Sequence, residues 1–215
     1  MPDHIIVVGA SLAGLRTVEA LRREGHPGRI TVIGAERNQP YDRPPLSKQF
    51  LVDGWDEEKL ALGRGALDAL EATWKLGQRA VRLDPDRLRI TLEDGSTVEG
   101  DAIVLATGTR ARRLPFGRDL ENVLELRTLE DARRLRSALD AAPRVVIVGA
   151  GFIGMELAAS CRQRGLDVSV VEPLEAPLVR GLGPVLGERV ARRHREEGVV
   201  FHLGVGVEGF EGEGR

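Results

Sequence analysis

The sequence predicts an α/β fold in which one strand, turn and helix unit is used twice, the second time incompletely. Three observations predict it. The run Ile5-Ile6-Val7-Val8-Gly9-Ala10-Ser11-Leu12-Ala13-Gly14 returns as Val145-Val146-Ile147-Val148-Gly149-Ala150-Gly151-Phe152-Ile153-Gly154, so Gly9 and Gly14 map onto Gly149 and Gly154 at one constant offset. Each unit has an acidic residue where its next strand ends: Glu36 downstream of Gly14, and Glu172 downstream of Gly154. Further on, Trp74-Lys75-Leu76-Gly77 and Phe201-His202-Leu203-Gly204 fall at matching points of the two units. In the first unit that point precedes a hairpin and a closing strand. In the second, residue 215 is reached before either, so an open, apolar sheet edge is expected there.

An apolar strand running into a glycine turn that opens a helix is the phosphate-binding element of a Rossmann-like, three-layer dinucleotide-binding unit. The first glycine takes the tight bend, the middle position lets backbone N–H groups approach a pyrophosphate, and the last permits close packing of helix on strand. The helix N-terminus offers the anion unpaired donors and a favourable dipole. Candidate contacts are therefore Gly9, Ser11, Ala13 and Gly14 in one turn, and Gly149, Gly151, Phe152, Ile153 and Gly154 in the other. Glu36 and Glu172 sit where a ribose hydroxyl pair needs an acceptor. Ser11 replaces the middle glycine; it is small enough to keep the approach open, and its hydroxyl can donate to a phosphate or cap the helix.

The first unit reads as strand 5–9, helix 12–24 and strand 29–33, with Gly25 and Pro27 as stop signals. A polar, proline-rich loop over 38–48 leads to a helical region near 57–73 and a strand at 78–83. Alternation from Arg87 to Glu99 around Glu93-Asp94-Gly95 marks a hairpin, and 101–108 reads as a buried strand ending in a small-residue turn. A boundary at Pro115 to Gly117 separates domains 1–115 and 116–215. Beyond it come helix 129–141, strand 144–149, helix 152–164, strand 167–172, a helix from about 184 to 196 and a strand near 199–203.

The 215 residues carry a formal charge of −2, which gives no nucleic-acid footprint; Arg110, Arg112 and Arg113, like Arg192, Arg193 and Arg195, read as solvated faces. No stretch approaches a membrane span and no leader precedes the first strand, so a cytoplasmic protein is expected. Cys161 is the only cysteine, which excludes an internal disulfide or redox pair, and its helical, apolar context suits a core residue. His4, His26, His194 and His202 lack metal-ligand spacing, and no metal site is expected.

Together with the proline-rich run Pro40-Tyr41-Asp42-Arg43-Pro44-Pro45-Leu46-Ser47-Lys48, the segments Ala106-Thr107-Gly108-Thr109 and Leu126-Arg127-Thr128-Leu129-Glu130-Asp131-Ala132 complete a pattern. It resembles the FAD-dependent, NADH-using ferredoxin reductases that feed Rieske oxygenases and bacterial cytochromes P450, over the N-terminal half of such an enzyme. The resemblance implies that the first unit binds FAD and the second NADH. Glu36 would hold the FAD ribose, Arg43 and Lys48 would lie along the flavin and pyrophosphate, and the Ala106-Thr107-Gly108 turn would pass close to the cofactor. Val81 would touch the adenine through its backbone and Arg127 would reach the FAD; taken alone, they read as a strand core residue and a surface charge. Related disulfide reductases carry a cysteine pair in the region of Pro44 to Lys48. Without one, electrons would pass from the flavin directly to an external acceptor, which the resemblance makes a ferredoxin-type iron–sulfur protein.

Lys48 near reduced flavin would stabilise its negative charge. Glu156, two residues past Gly154, would be costly if buried alone, and pairing with Lys48 at the flavin–nicotinamide junction resolves that cost; a solvated glutamate is the plainer reading. Glu172 can accept from a 2′-hydroxyl and repels a 2′-phosphate, and no basic residue occurs between 173 and 179, so NADH is favoured over NADPH. Two other readings stay open: a flavin-dependent NADH dehydrogenase with another acceptor, and a nucleotide-binding fragment without turnover. The oligomeric state is open as well.

Overall fold

The computed structural model describes residues 1–63, 67–117 and 119–211. Along the chain, β1 (His4–Val8), α1 (Leu12–Arg23) and β2 (Arg29–Gly34) are followed by a 3₁₀ turn at Pro44–Ser47 and the short helices α2 (Gln49–Val52) and α3 (Glu57–Leu60). A second 3₁₀ turn at Asp68–Leu70 leads to β3 (Thr73–Leu76), β4 (Ala80–Asp84), β5 (Arg89–Leu92), β6 (Thr97–Glu99) and β7 (Ala102–Leu105). Then come α4 (Leu129–Asp140), β8 (Val145–Val148), α5 (Phe152–Gln163), β9 (Val168–Glu172), α6 (Val179–Glu196) and β10 (Val200–Leu203). They form two compact units: residues 1–42 with 57–109, and residues 43–56 with 110–211.

The first unit has three layers. Its central sheet is parallel, in the order β3-β2-β1-β7. Both faces of β1 are buried, so the run His4–Val8 is apolar almost throughout instead of alternating with polar residues. Successive side chains still point to opposite faces. Ile5 and Val7 pack with Val18 of α1, Ile30 and Val32, whereas Ile6 and Val8 pack with Ile33 and with Ile90 and Leu92 of the antiparallel sheet β4-β5-β6.

The second unit repeats the parallel sheet and its glycine-turn helix, in the order β10-β9-β8, without an antiparallel sheet among the described residues. The two glycine turns agree bond for bond. Gly9 N–H donates to Ile33 C=O at 2.8 Å and Gly149 N–H to Val171 C=O at 2.8 Å; the first helical bonds, Leu15 N–H to Ser11 C=O and Met155 N–H to Gly151 C=O, are both 2.9 Å. Gly9 and Gly149 have φ of +123° and +101°, a region that only glycine enters at low cost. The matching points seen in the sequence are β3 beside β2 and β10 beside β9. The units differ at one edge. β1 lies between β2 and β7, whereas β8 pairs only with β9 among the described residues, and its Val146 and Val148 are 63% and 40% exposed.

The structure departs from expectation in several places. The 38–48 loop contains a 3₁₀ turn and runs into α2, because Pro45, Leu46, Ser47, Phe50 and Leu51 are buried by packing that a proline-rich string does not announce. The helical region near 57–73 is divided: α3 ends at Leu60, Gly63 has φ +68°, the 3₁₀ turn follows and β3 begins at Thr73, while residues 64–66 lie outside the described residues. The helix expected from about 184 begins at Val179 but kinks at Gly183 (φ 77°, ψ 168°), immediately before Pro184. The segment 43–56, on the N-terminal side of the boundary expected at 115–117, packs within the second unit. Among the described residues, no helix is long and apolar enough to cross a membrane.

The turn geometry separates two glycines three residues apart. A Cβ on Gly154 would lie 2.1 Å from the Gly149 carbonyl oxygen, whereas one on Gly151, whose φ is −77°, meets nothing within 4 Å. Gly154→Ala is expected to cost at least about 2 kcal/mol and Gly151→Ala to stay within about 0.5 kcal/mol, read from denaturation midpoints.

Candidate functional site

Helix N-termini leave backbone donors without intrahelical partners. At α4 the chain closes its own: Thr128 Oγ1 accepts from Asp131 N–H at 3.2 Å while Asp131 Oδ2 accepts from Thr128 N–H at 2.8 Å, a reciprocal capping box. At α1 and α5 no side chain caps the helix, although Ser11 occupies the N-cap position of α1 in extended conformation. These are the two helices that follow the glycine turns. Uncapped donors behind a turn whose Gly149 and Gly151 face open space fit the pyrophosphate of a dinucleotide. In the first unit the turn is closed from behind, since a Cβ on Gly9 would lie 2.0 Å from the Ala106 carbonyl oxygen and Ala106 N–H donates to Val8 C=O at 2.8 Å. Thr107 and Gly108 (φ +66°) follow, both exposed.

Both acidic strand ends are held in place. Glu36 Oε2 accepts from the hydroxyl of buried Tyr41 at 2.5 Å. Glu172 folds back on its own glycine turn: Oε2 accepts from Ala150 N–H at 2.7 Å and Oε1 from Leu174 N–H at 3.1 Å. Each carboxylate oxygen has a second lone pair, so Glu172 is oriented without losing its capacity to accept from a ribose hydroxyl. Val81 is 56% exposed and so is no core residue; the β4–β5 register shifts between Ala80 and Arg82, and this bulge takes the Val81 backbone out of the ladder.

Within the second unit, the turn of 43–48 and the start of α5 enclose a cavity of about 240 Å³ lined by Arg43, Lys48, Arg127, Phe152, Ile153 and Glu156 among others. Arg43 Nη1 donates to the Arg127 carbonyl at 2.7 Å, and Arg127 N–H donates to Asp131 Oδ2 at 3.1 Å, so the α4 cap also fixes this wall. Lys48 Nζ lies 2.8 Å from Glu156 Oε1, with about a third of each side chain exposed. Ser47 Oγ donates to Glu156 Oε2 at 2.5 Å. Burial pushes the Glu156 carboxyl up, but hydrogen bonds from Lys48 and Ser47 and the lysine charge outweigh it and hold the group below its ordinary value. Cys161, further along α5, is fully buried, and burial raises its thiol to about 11.

Sequence reasoning missed Tyr41, Ser47 and Asp131. Only Asp131 had a local signal, the Thr128-x-x-Asp131 spacing; Ser47 meets Glu156 across 109 residues of sequence.

Duplicated strand–turn–helix units with uncapped helix starts and oriented acidic strand ends define a chain of Rossmann-like, dinucleotide-binding fold. Residues 3–215 match the family described as pyridine nucleotide-disulphide oxidoreductase, and the chain belongs to it. It is 42% identical over 216 residues to the benzene 1,2-dioxygenase system ferredoxin-NAD(+) reductase subunit of Pseudomonas putida, covering 100% of this chain and 53% of that protein. It is 41% identical over 205 residues to rhodocoxin reductase of Rhodococcus erythropolis, covering 94% of this chain and 48% of the relative. The solved covalent putidaredoxin reductase–putidaredoxin complex superposes with a TM-score of 0.92 at 34% identity, over 97% of this chain and 51% of the other. The chain thus spans about half the length of the curated relatives it matches.

The sign of the Glu156 shift sets a pH dependence. Because the folded value is depressed from 4.5, the carboxylate's contribution to stability is fully present above that pH and is lost as pH falls through the lowered folded value. Wild type is expected to exceed Glu156→Gln by no more than about 1 kcal/mol near neutrality, given solvent screening, and the gap should close in acid. Denaturation midpoints of both proteins across that range measure it.

Proposed function

We propose that this chain supplies the FAD-binding and NADH-binding units of an NADH:ferredoxin reductase, with residues 1–115 and 116–215 as the two domains along the sequence and segment 43–56 of the first packed within the second compact unit. FAD held by the first unit would supply the redox chemistry, hydride acceptance from NADH and one-electron transfer to the acceptor. The observation that carries the reading is the Lys48–Glu156 pair, 2.8 Å apart in a cavity lined by Arg43 and Arg127 and flanked by the uncapped start of α5. An ammonium held there favours the accumulation of negative charge on a flavin, and the carboxylate keeps that ammonium in place. The turn of Gly9, Ser11, Ala13 and Gly14 would take the FAD pyrophosphate, with Glu36 on the ribose. Val81, unpaired at its bulge, would offer backbone groups to the adenine, and Ala106, Thr107 and Gly108 would line the same cofactor. Gly149, Gly151, Phe152, Ile153 and Gly154 would take the NADH pyrophosphate, with Glu172 on the ribose. The names of the relatives, reductases of dioxygenase and rhodocoxin systems, support a ferredoxin-type iron–sulfur protein as the acceptor. The cytoplasm is the compartment this reading assigns.

Titrating the purified chain with FAD and recording its visible spectrum tests the reading. Bound-flavin bands that bleach on addition of NADH support it, and a chain that takes up no flavin overturns it. Glu156→Ala should slow bleaching by roughly tenfold or more while FAD affinity changes less, because a positioned charge is lost and not a binding contact. Glu172→Gln combined with Pro173→Arg should shift the NADH:NADPH rate ratio toward NADPH by roughly 10- to 100-fold, and wild type that uses both coenzymes equally would refute the role of Glu172.

A further inference from the structure

Glu156 and Ser160 of helix α5 and Arg164 at its C-cap follow at four-residue intervals, and each bonds the segment 47–51. Glu156 takes the Ser47 hydroxyl at 2.5 Å and the Lys48 ammonium at 2.8 Å. One turn on, Ser160 Oγ donates to the Ser47 carbonyl at 2.6 Å; one turn further, Arg164 Nη1 donates to the Leu51 carbonyl at 3.1 Å. Ser47 is therefore gripped at both ends, by its carbonyl and by its hydroxyl. It is 4% exposed and Ser160 is 3% exposed, so water cannot readily replace either bond.

A serine hydroxyl has one proton to donate. Ser47 Oγ has a second acceptor, the Pro44 carbonyl at 3.3 Å, but the carboxylate is nearer and charged, and such bonds are shorter and stronger than neutral ones. Lys48 binds one oxygen of Glu156 and Ser47 the other. A carboxylate held at both oxygens cannot swing, whereas one held only by a flexible, one-third-exposed lysine can.

We propose that Ser47 is a positioning residue for the Lys48–Glu156 pair: aligned through its carbonyl by Ser160, it fixes the second oxygen of Glu156 and so sets where the Lys48 ammonium stands. The proposal rests on the reading of Lys48 as the flavin-side charge. The other groups around Glu156 are accounted for. Arg43 and Arg127 line the same cavity, His194 of α6 approaches the carbonyl of the preceding Met155 with Nε2 at 3.2 Å, and Glu156 is the only carboxylate lining the cavity among the described residues.

The test has one arm without cofactor and one with it. In the ligand-free chain, 13C-labelled glutamate reports the titration of Glu156, assigned by its disappearance in Glu156→Gln. Ser47→Ala should move the Glu156 midpoint upward. Ser160→Ala, which keeps the Ser47 hydroxyl but frees its carbonyl, should move it in the same direction by less. In the FAD-loaded chain, Ser47→Ala should lower the limiting rate of flavin reduction by roughly tenfold, the loss expected of one charge-assisted hydrogen bond, with the KM for NADH little changed. A Glu156 midpoint identical to wild type in Ser47→Ala overturns the proposal; if that variant does not fold, an unmoved midpoint in Ser160→Ala overturns it. A shifted midpoint in a chain that binds no flavin leaves the bracing standing and removes the reading of Lys48.

Discussion

Each unit depends on a carbonyl oxygen lying where a side chain would otherwise be. The Gly9 oxygen lies 1.8 Å from the position of a Cβ on Gly14, and the Gly149 oxygen 2.1 Å from one on Gly154. Only a residue without a side chain lets the helix approach its strand this closely, and the approach is what brings the helix axis over the strand end. The remaining geometry follows. No side chain bonds the first helical N–H groups of α1 or α5, so the helix starts stay uncapped, and the next strand leads to its glutamate. A cap like that of α4 would stabilise the helix and consume the donors the site needs.

The parts of this arrangement that are local in sequence were legible there. Glycine turns, the stops at Gly25 and Pro27, and the Glu93-Asp94-Gly95 hairpin depend on backbone conformations their own residues dictate, and the elements flanking them lie close to expectation. β3 was visible only through its likeness to the region of β10, because a strand of 4 residues with none of them buried carries little periodicity. The helical turns at 44–52 were invisible: prolines read as loop, and it is burial of Leu46, Phe50 and Leu51 that makes them helical. The site divides along the same line. The glycines and strand-end acids could be read directly and Glu156 could be suspected from the oddity of its place, but Ser47 and Tyr41 act through contacts that folding creates.

The packing of 43–56 with the second unit bears on how the proposed chemistry is kept in register. Lys48 and Glu156 come from segments far apart in sequence, yet both are fixed to α5, one by covalent membership and the other through the bonds from Ser160 and Arg164. The charge pair thus moves with the helix whose N-terminus fits the pyrophosphate. Internal motion of that unit does not easily separate the two.

Cys161 has a consequence for watching the second unit move. It is the only thiol in the chain, has no solvent exposure, and is held far toward its protonated form at neutral pH. A disulfide reagent therefore reacts only through openings that expose the sulfur, at a rate that scales with the population of those openings and the reactivity of the exposed thiolate. The single cysteine is a built-in clock for opening of the helix that carries Glu156, readable with one thiol reagent and no engineered residue, and silent while the fold stays shut.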